Sequence, residues 1–209
     1  MSRARLVLWG VPALLWAAFF VWYTNLSGPM TAAEIEAVVA RLSAEGGDPV
    51  RIATLRRFME EDTGRQFLMA NLLDAAEAPP VLPATGPGAD ADALLDHYMA
   101  HMYPELFRRA SHPVYAGAVV FQAMDVAGIA GAESWTRVAL MRYRSRRDLI
   151  EIATNPAFDE RHEYKLAALE KTIAMPTEAQ IYLSDPRWLL ALVLLLLVLI
   201  ADRFVPNRH

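Results

Sequence analysis

Glu133 to Lys165 reads ESWTRVALMRYRSRRDLIEIATNPAFDERHEYK, and the fold turns on how this stretch is read. Its first part, Trp135 to Tyr143, predicts a strand. One face carries Trp135, Ala139, Met141 and Tyr143 and the other Val138 and Leu140, so neither side is built to meet water. Ser145-Arg-Arg-Asp148 then forms a capping box that opens a short helix, and Asn155-Pro156 caps and starts a second helix running to about Lys171. A strand apolar on both faces and followed by helices needs helices over one face and another cover over the other.

Working outward, VYAGAVVFQAM, Val114 to Met124, predicts a strand joined to Trp135–Tyr143 by the Gly-rich loop DVAGIAGAE as an antiparallel hairpin. QFLMANLL, Gln66 to Leu73, is short, apolar and bounded by turn signals, and predicts a buried strand. Between them Asp92 to Met102 is helical, with Leu94, Leu95, Tyr98 and Met102 on one face, and Pro104 predicts a break or kink. Residues 75–93 hold Pro79, Pro80, Pro83 and Pro87 and read as a surface insertion. Pro176 delays the last expected strand to Glu178 through Leu183.

Upstream, the capping box Thr31 to Glu34 opens a helix carrying Ile35, Val38, Val39 and Leu42, and a second helix runs from about Pro49 to Glu61. Residues 31–63 are thus a helical pair and 66–184 an α+β domain. Its order β, α, β, β, α, β is the ferredoxin-like split βαβ arrangement, an antiparallel sheet with helices on one face.

The chain ends are apolar. LVLWGVPALLWAAFFVWY, Leu6 to Tyr23, is uncharged and long enough to cross a bilayer. WLLALVLLLLVLIA, Trp188 to Ala201, is apolar on every face and flanked by arginines able to snorkel, which predicts a second span over 187–205. Arg3 and Arg5 precede the first span, Arg203 and Arg208 follow the second, and no Lys or Arg lies between Tyr23 and Arg41. The positive-inside rule therefore puts both termini in the cytoplasm of a bacterium, with the chain in its inner membrane and the domain in the periplasm.

The absence of cysteine excludes disulfides and thiol chemistry. Thr24 to Pro186 holds all 24 acidic residues except Asp202, and all 20 Lys and Arg except Arg3, Arg5, Arg187, Arg203 and Arg208. That leaves 23 against 15, a net charge of −8, which argues against a nucleic-acid partner.

Chemistry-bearing motifs are few. His97 and His101 lie four apart, as two metal ligands on one helix would, but Tyr98 stands where a zinc protease has its glutamate and Glu105 lies beyond Pro104. No metal and no cofactor is expected. Arg142, Arg144, Arg146 and Arg147 either grip an anion or form a solvated strand end neutralised by nearby acids such as Asp148 and Glu151. The sequence holds no phosphate-cradling Gly loop, nucleophile elbow or paired-carboxylate signature.

The segments FLMANLLD, HPVYAGAVV and Glu133 to Lys165 together resemble the DUF1330 family of the dimeric α/β-barrel superfamily. In that family a Trp begins the third strand, an aromatic-x-Ser-Arg turn follows, and a helix start with Pro and an aromatic comes after it. Trp135, Tyr143, Ser145, Arg146, Pro156 and Phe158 match, and the resemblance spans Gln66 to Leu183. It implies a homodimer in which two sheets pack together. It also implies a site between sheet and helices, where related barrels set a His, Tyr, Asn or Arg against an apolar ligand. His101, His112 and Tyr115 are then the catalytic candidates, and Asn71, Trp135, Arg142 and Tyr143 the ligand-binding ones. The family has no settled activity, and its typical small soluble members lack the proline-rich insertion, the amino-terminal helices and the spans. The expected function is that of a twice-anchored domain which dimerises and binds a partner protein, such as a companion membrane subunit, or an apolar small molecule. The alternative is a cofactor-free monooxygenase or isomerase acting on a hydrophobic substrate.

Overall fold

In the computed structural model, residues 2–205 are described, so Arg208 lies outside them. The strand that opens the deciding stretch is β3, Arg137–Tyr143. It pairs antiparallel with β2, His112–Ala118, on one side and with β1, Phe67–Ala75, on the other, and β1 pairs antiparallel with β4, Leu169–Thr177. The protein is thus a mixed α+β molecule with a four-stranded antiparallel sheet ordered β2-β3-β1-β4. Both prolines within strands, Pro113 and Pro176, fall on the edge strands β2 and β4, where a missing N–H interrupts no second ladder.

Register assigns the faces. Phe67, Met69, Asn71 and Leu73 of β1 lie opposite Tyr143, Met141, Ala139 and Arg137 of β3 and point to the helix side. Three helices supply that side: α4, Ala91–Arg108, between β1 and β2, then α5, Arg146–Ala153, and α6, Pro156–Ala167, between β3 and β4. Leu94, Tyr98, Met102 and Leu106 of α4 form one buried stripe and meet Ile152, Phe158 and Tyr164 over Phe67 and Tyr143. The opposite sheet face carries Leu68, Ala70, Leu72, Val138 and Leu140, all partly exposed, with Tyr115 and Met175 exposed.

Four expectations change. First, α4 does not break at Pro104 but runs to Arg108. An interior proline costs about 3 kcal/mol. Fully buried Leu106 and nearly buried Met102, on either side of it, are worth about 1.5–3 kcal/mol each, enough to carry the helix through. Second, β2 ends at Ala118, and residues 119–134 form an irregular loop tied to the sheet side by Val119 N–H donating to Thr136 O at 2.9 Å.

Third, α6 stops at Ala167 instead of near Lys171. Fourth, the last strand is β4, ahead of Glu178 to Leu183, which holds no strand. Pro176 does not delay that strand but sits inside it, because an edge strand pairs on one side only.

The amino-terminal helices α2, Ala32–Ala44, and α3, Pro49–Glu60, belong to the same compact unit as the sheet, residues 27–178. Thr31 and Glu34 form the expected capping box, Thr31 N–H donating to Glu34 Oε2 at 2.7 Å, and Asp48 caps α3 with Pro49 at its first turn. Ile35, Met59 and Met30 bury against Ile150 of α5, and Phe58 meets Phe67 edge-on at 5.8 Å.

A second unit combines the two chain ends, residues 2–26 and 179–205 among those described. In it α1, Arg3–Tyr23, packs antiparallel on α7, Pro186–Asp202, with Arg5 Nε donating to Asp202 Oδ1 at 3.0 Å and Trp16 Nε1 to Arg187 O at 2.9 Å. Among the described residues one helix, α1, is long and apolar enough to cross a membrane. The 17 residues of α7 rise about 26 Å, a turn short of a full hydrocarbon core.

Candidate functional site

Between the helix-facing side of the sheet and helices α4 and α6 lies a cavity of about 390 Å³. Met69 and Asn71 of β1 and Met141 and Tyr143 of β3 form its floor. Leu95, Tyr98, Met99 and Met102 recur at helical spacing along α4 and form one wall, while Phe158, His162 and Lys165, at i, i+4 and i+7 along α6, form the other. The lining is thus mostly thioether, aliphatic and aromatic with a few polar groups set into it, as in a small-molecule pocket.

Those polar groups are closely held. Asn71 is buried, and its Nδ2 donates to Met69 O at 3.0 Å and Ala139 O at 3.4 Å, which turns Oδ1 toward the amine of Lys165, 3.4 Å away. Lys165 Nζ also lies 6.0 Å from the centre of the Tyr98 ring. Burial pushes the Lys165 amine below the usual lysine range, since the charged form is the one that desolvation disfavours. Burial likewise raises the Tyr98 and Tyr143 phenols, so both hydroxyls keep their protons. His162 stacks on Phe158 at 4.8 Å and meets Tyr98 edge-on at 6.0 Å.

Of the ligand-binding residues predicted from sequence, Asn71 and Tyr143 line the cavity and Trp135 and Arg142 do not. Trp135 lies ahead of β3, its Nε1 donating to Ala132 O at 2.9 Å, with Lys171 Nζ 4.8 Å from its ring centre. Arg142 is wholly buried; it donates to Gln66 Oε1 at 2.9 and 2.7 Å and to Ala110 O, and so ties the start of β1 to the end of α4.

The three catalytic candidates also fall outside the cavity lining. His101 is on α4 with its Nε2 buried and without a hydrogen-bond partner among the described residues. His112 begins β2, its Nδ1 2.9 Å from Pro113 O, and Tyr115 is 53% exposed on the opposite sheet face, its ring lying over Gly117. His97, paired with His101 in the sequence, accepts a bond from Arg161 at 3.0 Å and packs on Tyr164 at 4.3 Å. Burial and the Arg161 charge hold it below the usual histidine range. Glu105 is bonded to Arg108 at 2.6 Å and to Arg109, and no cluster of three or more metal-ligating side chains occurs among the described residues.

Of the remaining arginines, Arg144 is neutralised by nearby Asp148 as the sequence predicts, while Arg146 and Arg147 are committed to other elements. Arg144 holds Asp148 through two bonds of 3.0 and 2.6 Å, Arg146 donates to Phe58 O at 2.6 Å, and Arg147 grips Glu34 at 2.9 and 3.1 Å. The last two fasten α3 and the start of α2 to α5. The Arg147 guanidinium, with the Thr31 backbone behind it, lowers the Glu34 carboxyl to about 2. Sequence reasoning did not name Lys165 and did not assign His162 to the cleft; their spacing with Phe158 was the signal available.

No protein-family model and no curated protein sequence matches the chain. Among solved structures, RPA0582 from Rhodopseudomonas palustris, a protein of unknown function, is similar at 18% identity and a TM-score of 0.50, over 65% of this chain and 95% of that one. The methylated RPA0582 protein is similar at 19% identity and a TM-score of 0.52, over 66% and 95%. At3g17210 from Arabidopsis thaliana aligns at 16% identity with a TM-score of 0.36, over 56% and 97%. At these identities the first two likenesses concern the fold alone.

Proposed function

We infer that this protein is a membrane-anchored binding domain whose sheet–helix cleft receives an apolar small molecule. The observation that carries the reading is the cavity of about 390 Å³ floored and walled by Met69, Met99, Met102 and Met141, with a few polar groups set into the lining. Methionines adapt to irregular apolar shapes, and a lining of this volume and composition is what drug-sized apolar ligands occupy.

The domain is, on this reading, ferredoxin-like and of the dimeric α/β-barrel type, as the resemblance to DUF1330 implies. The order β2-β3-β1-β4 with helices on one face supports it, and the partly exposed apolar face offers a second copy a sheet to pack on. The exposed side chains Val120, Phe121 and Met124 in the 119–134 loop add apolar surface suited to a companion subunit. Both chain ends span the inner membrane, with termini in the cytoplasm and the sheet in the periplasm. The antiparallel packing of α1 on α7 and the Arg5–Asp202 pair support the second span. Reporter fusions at each terminus should both read cytoplasmic; a periplasmic carboxy terminus removes the second span.

The cleft reading is tested by native mass spectrometry of the full chain extracted in mild detergent. A bound small molecule is expected on the wild type and absent from Met102→Trp, which fills the cavity. The same bound mass on a folded Met102→Trp protein would place the ligand elsewhere and overturn the reading. The enzymatic alternative draws its support from His162, which lines the cleft beside Tyr98, rather than from His101 or His112. Turnover of a hydrophobic substrate that is lost in His162→Ala would favour it.

A further inference from the structure

Lys165 stands out among the groups of the cleft. It lines a mostly apolar cavity, its Nζ donates to one neutral amide oxygen, Asn71 Oδ1 at 3.4 Å, and it has no carboxylate within 4.0 Å among the described residues. A cation in such a place is ordinarily paired. The wall residues Tyr98 and Tyr143 are buried, at 7% and 5% exposure, and neither hydroxyl makes a hydrogen bond with a described residue. Buried phenols usually find a partner too. One amine and two hydroxyls, all donors and all on the lining of one cavity, therefore lack the acceptor that would complete them. Other charge on the lining is already engaged or opposed: Arg137 is bound to Asp92, and Asp96 adds a negative charge.

We propose that the cleft binds an apolar monocarboxylate, its carboxylate held by the Lys165 amine and the Tyr98 and Tyr143 hydroxyls and its hydrocarbon part seated among the methionines. A carboxylate supplies the missing acceptor lone pairs and a single negative charge to match a single ammonium. A phosphate dianion would bring a second charge that the lining does not balance, with Arg137 bound to Asp92 and Asp96 repelling it. An uncharged hydrocarbon would leave the two hydroxyls without an acceptor and the amine with only the neutral Asn71 oxygen, and a site built of donors discriminates strongly against ligands lacking the acceptor. The inference rests on reading the cleft as a small-molecule site, and it adds the ligand's chemical class.

The test uses the full chain in lipid nanodiscs, with 4-phenylbutyrate and 4-phenylbutanol as probes, binding followed by ligand-observed NMR against empty nanodiscs. The acid is expected to bind at least about tenfold more tightly than the alcohol, the difference a charge-assisted bond makes. Lys165→Met should abolish that preference while leaving the alcohol's affinity within about threefold, since it removes the charge and keeps the apolar volume. Lys165→Arg should keep a preference for the acid. Equal binding of acid and alcohol to the wild type overturns the proposal and leaves the cleft reading standing. Binding of neither probe overturns the cleft reading itself. The comparison on the wild type decides the question even if Lys165→Met does not fold.

Discussion

Arg142 shows how far a residue's chemistry depends on what surrounds it. In the sequence it is one of four arginines near a strand end and a natural anion ligand; in the fold it is fully buried and bonded to Gln66 and Ala110. Arg142→Ala would leave a cavity and two unsatisfied acceptors, and the cost should reach about 3–5 kcal/mol. Arg142→Lys cannot reproduce the fork and should lose part of that, about 1–3 kcal/mol. Chemical denaturation followed by circular dichroism checks both, and the lysine variant should bind the cleft ligand as the wild type does. A loss of binding with unchanged stability would return Arg142 to the ligand site. Lys165 is the converse case: on a helix that reads as charged, nothing local marks it for a cavity, and burial there lowers its proton affinity.

At the scale of elements, most starts were legible because caps are local. Thr31, Asp48, Ser145 and Asn155 each cap the helix that follows, through bonds that span three residues at most. Stops were less legible. Helix α4 passes Pro104 because Leu106 is buried beyond it, and it ends at Arg108, just ahead of Ala110, whose φ of +52° is the left-handed turn usually left to glycine. Pro104→Ala should restore an N–H to the helix interior and raise the stability of the full chain by about 1–3 kcal/mol, without altering its circular dichroism shape. An unchanged or lowered melting temperature would mean that the proline's rigidity in the unfolded chain outweighs the bond it removes. The strand after α6 was misplaced for a related reason: Thr172 and Ile173 favour a strand, but only pairing with β1 reveals that Pro176 sits at an edge.

For the whole molecule, register separates two residues that the sequence leaves equivalent. Leu140 points to the partly exposed face, and Met141 to the cavity. If two copies pack through the exposed face, Leu140→Glu should convert dimer to monomer with the fold intact, because a carboxylate between two sheets costs several kcal/mol. Met141→Glu should instead destabilise the fold or empty the cleft. Light scattering of the full chain in detergent, with the micelle mass subtracted, reads the first effect, and thermal melting reads the second. A Leu140→Glu protein that keeps the wild-type mass would remove the sheet face as the dimer contact.

By itself the sequence determined the α+β class, the succession of helices and strands, the capped helix starts and the apolar chain ends, because caps, periodicity and hydrophobic runs act over a few neighbours. It also named Asn71 and Tyr143, two residues that line the cleft. Only the tertiary structure decided that Arg142, Arg146 and Arg147 fasten elements together, that Trp135, His101, His112 and Tyr115 lie away from the cavity, and that Lys165 and His162 enter it. Those outcomes depend on pairings across long separations, Arg147 with Glu34 over 113 positions and Lys165 with Asn71 over 94, and on burial that only strand register and helix packing create.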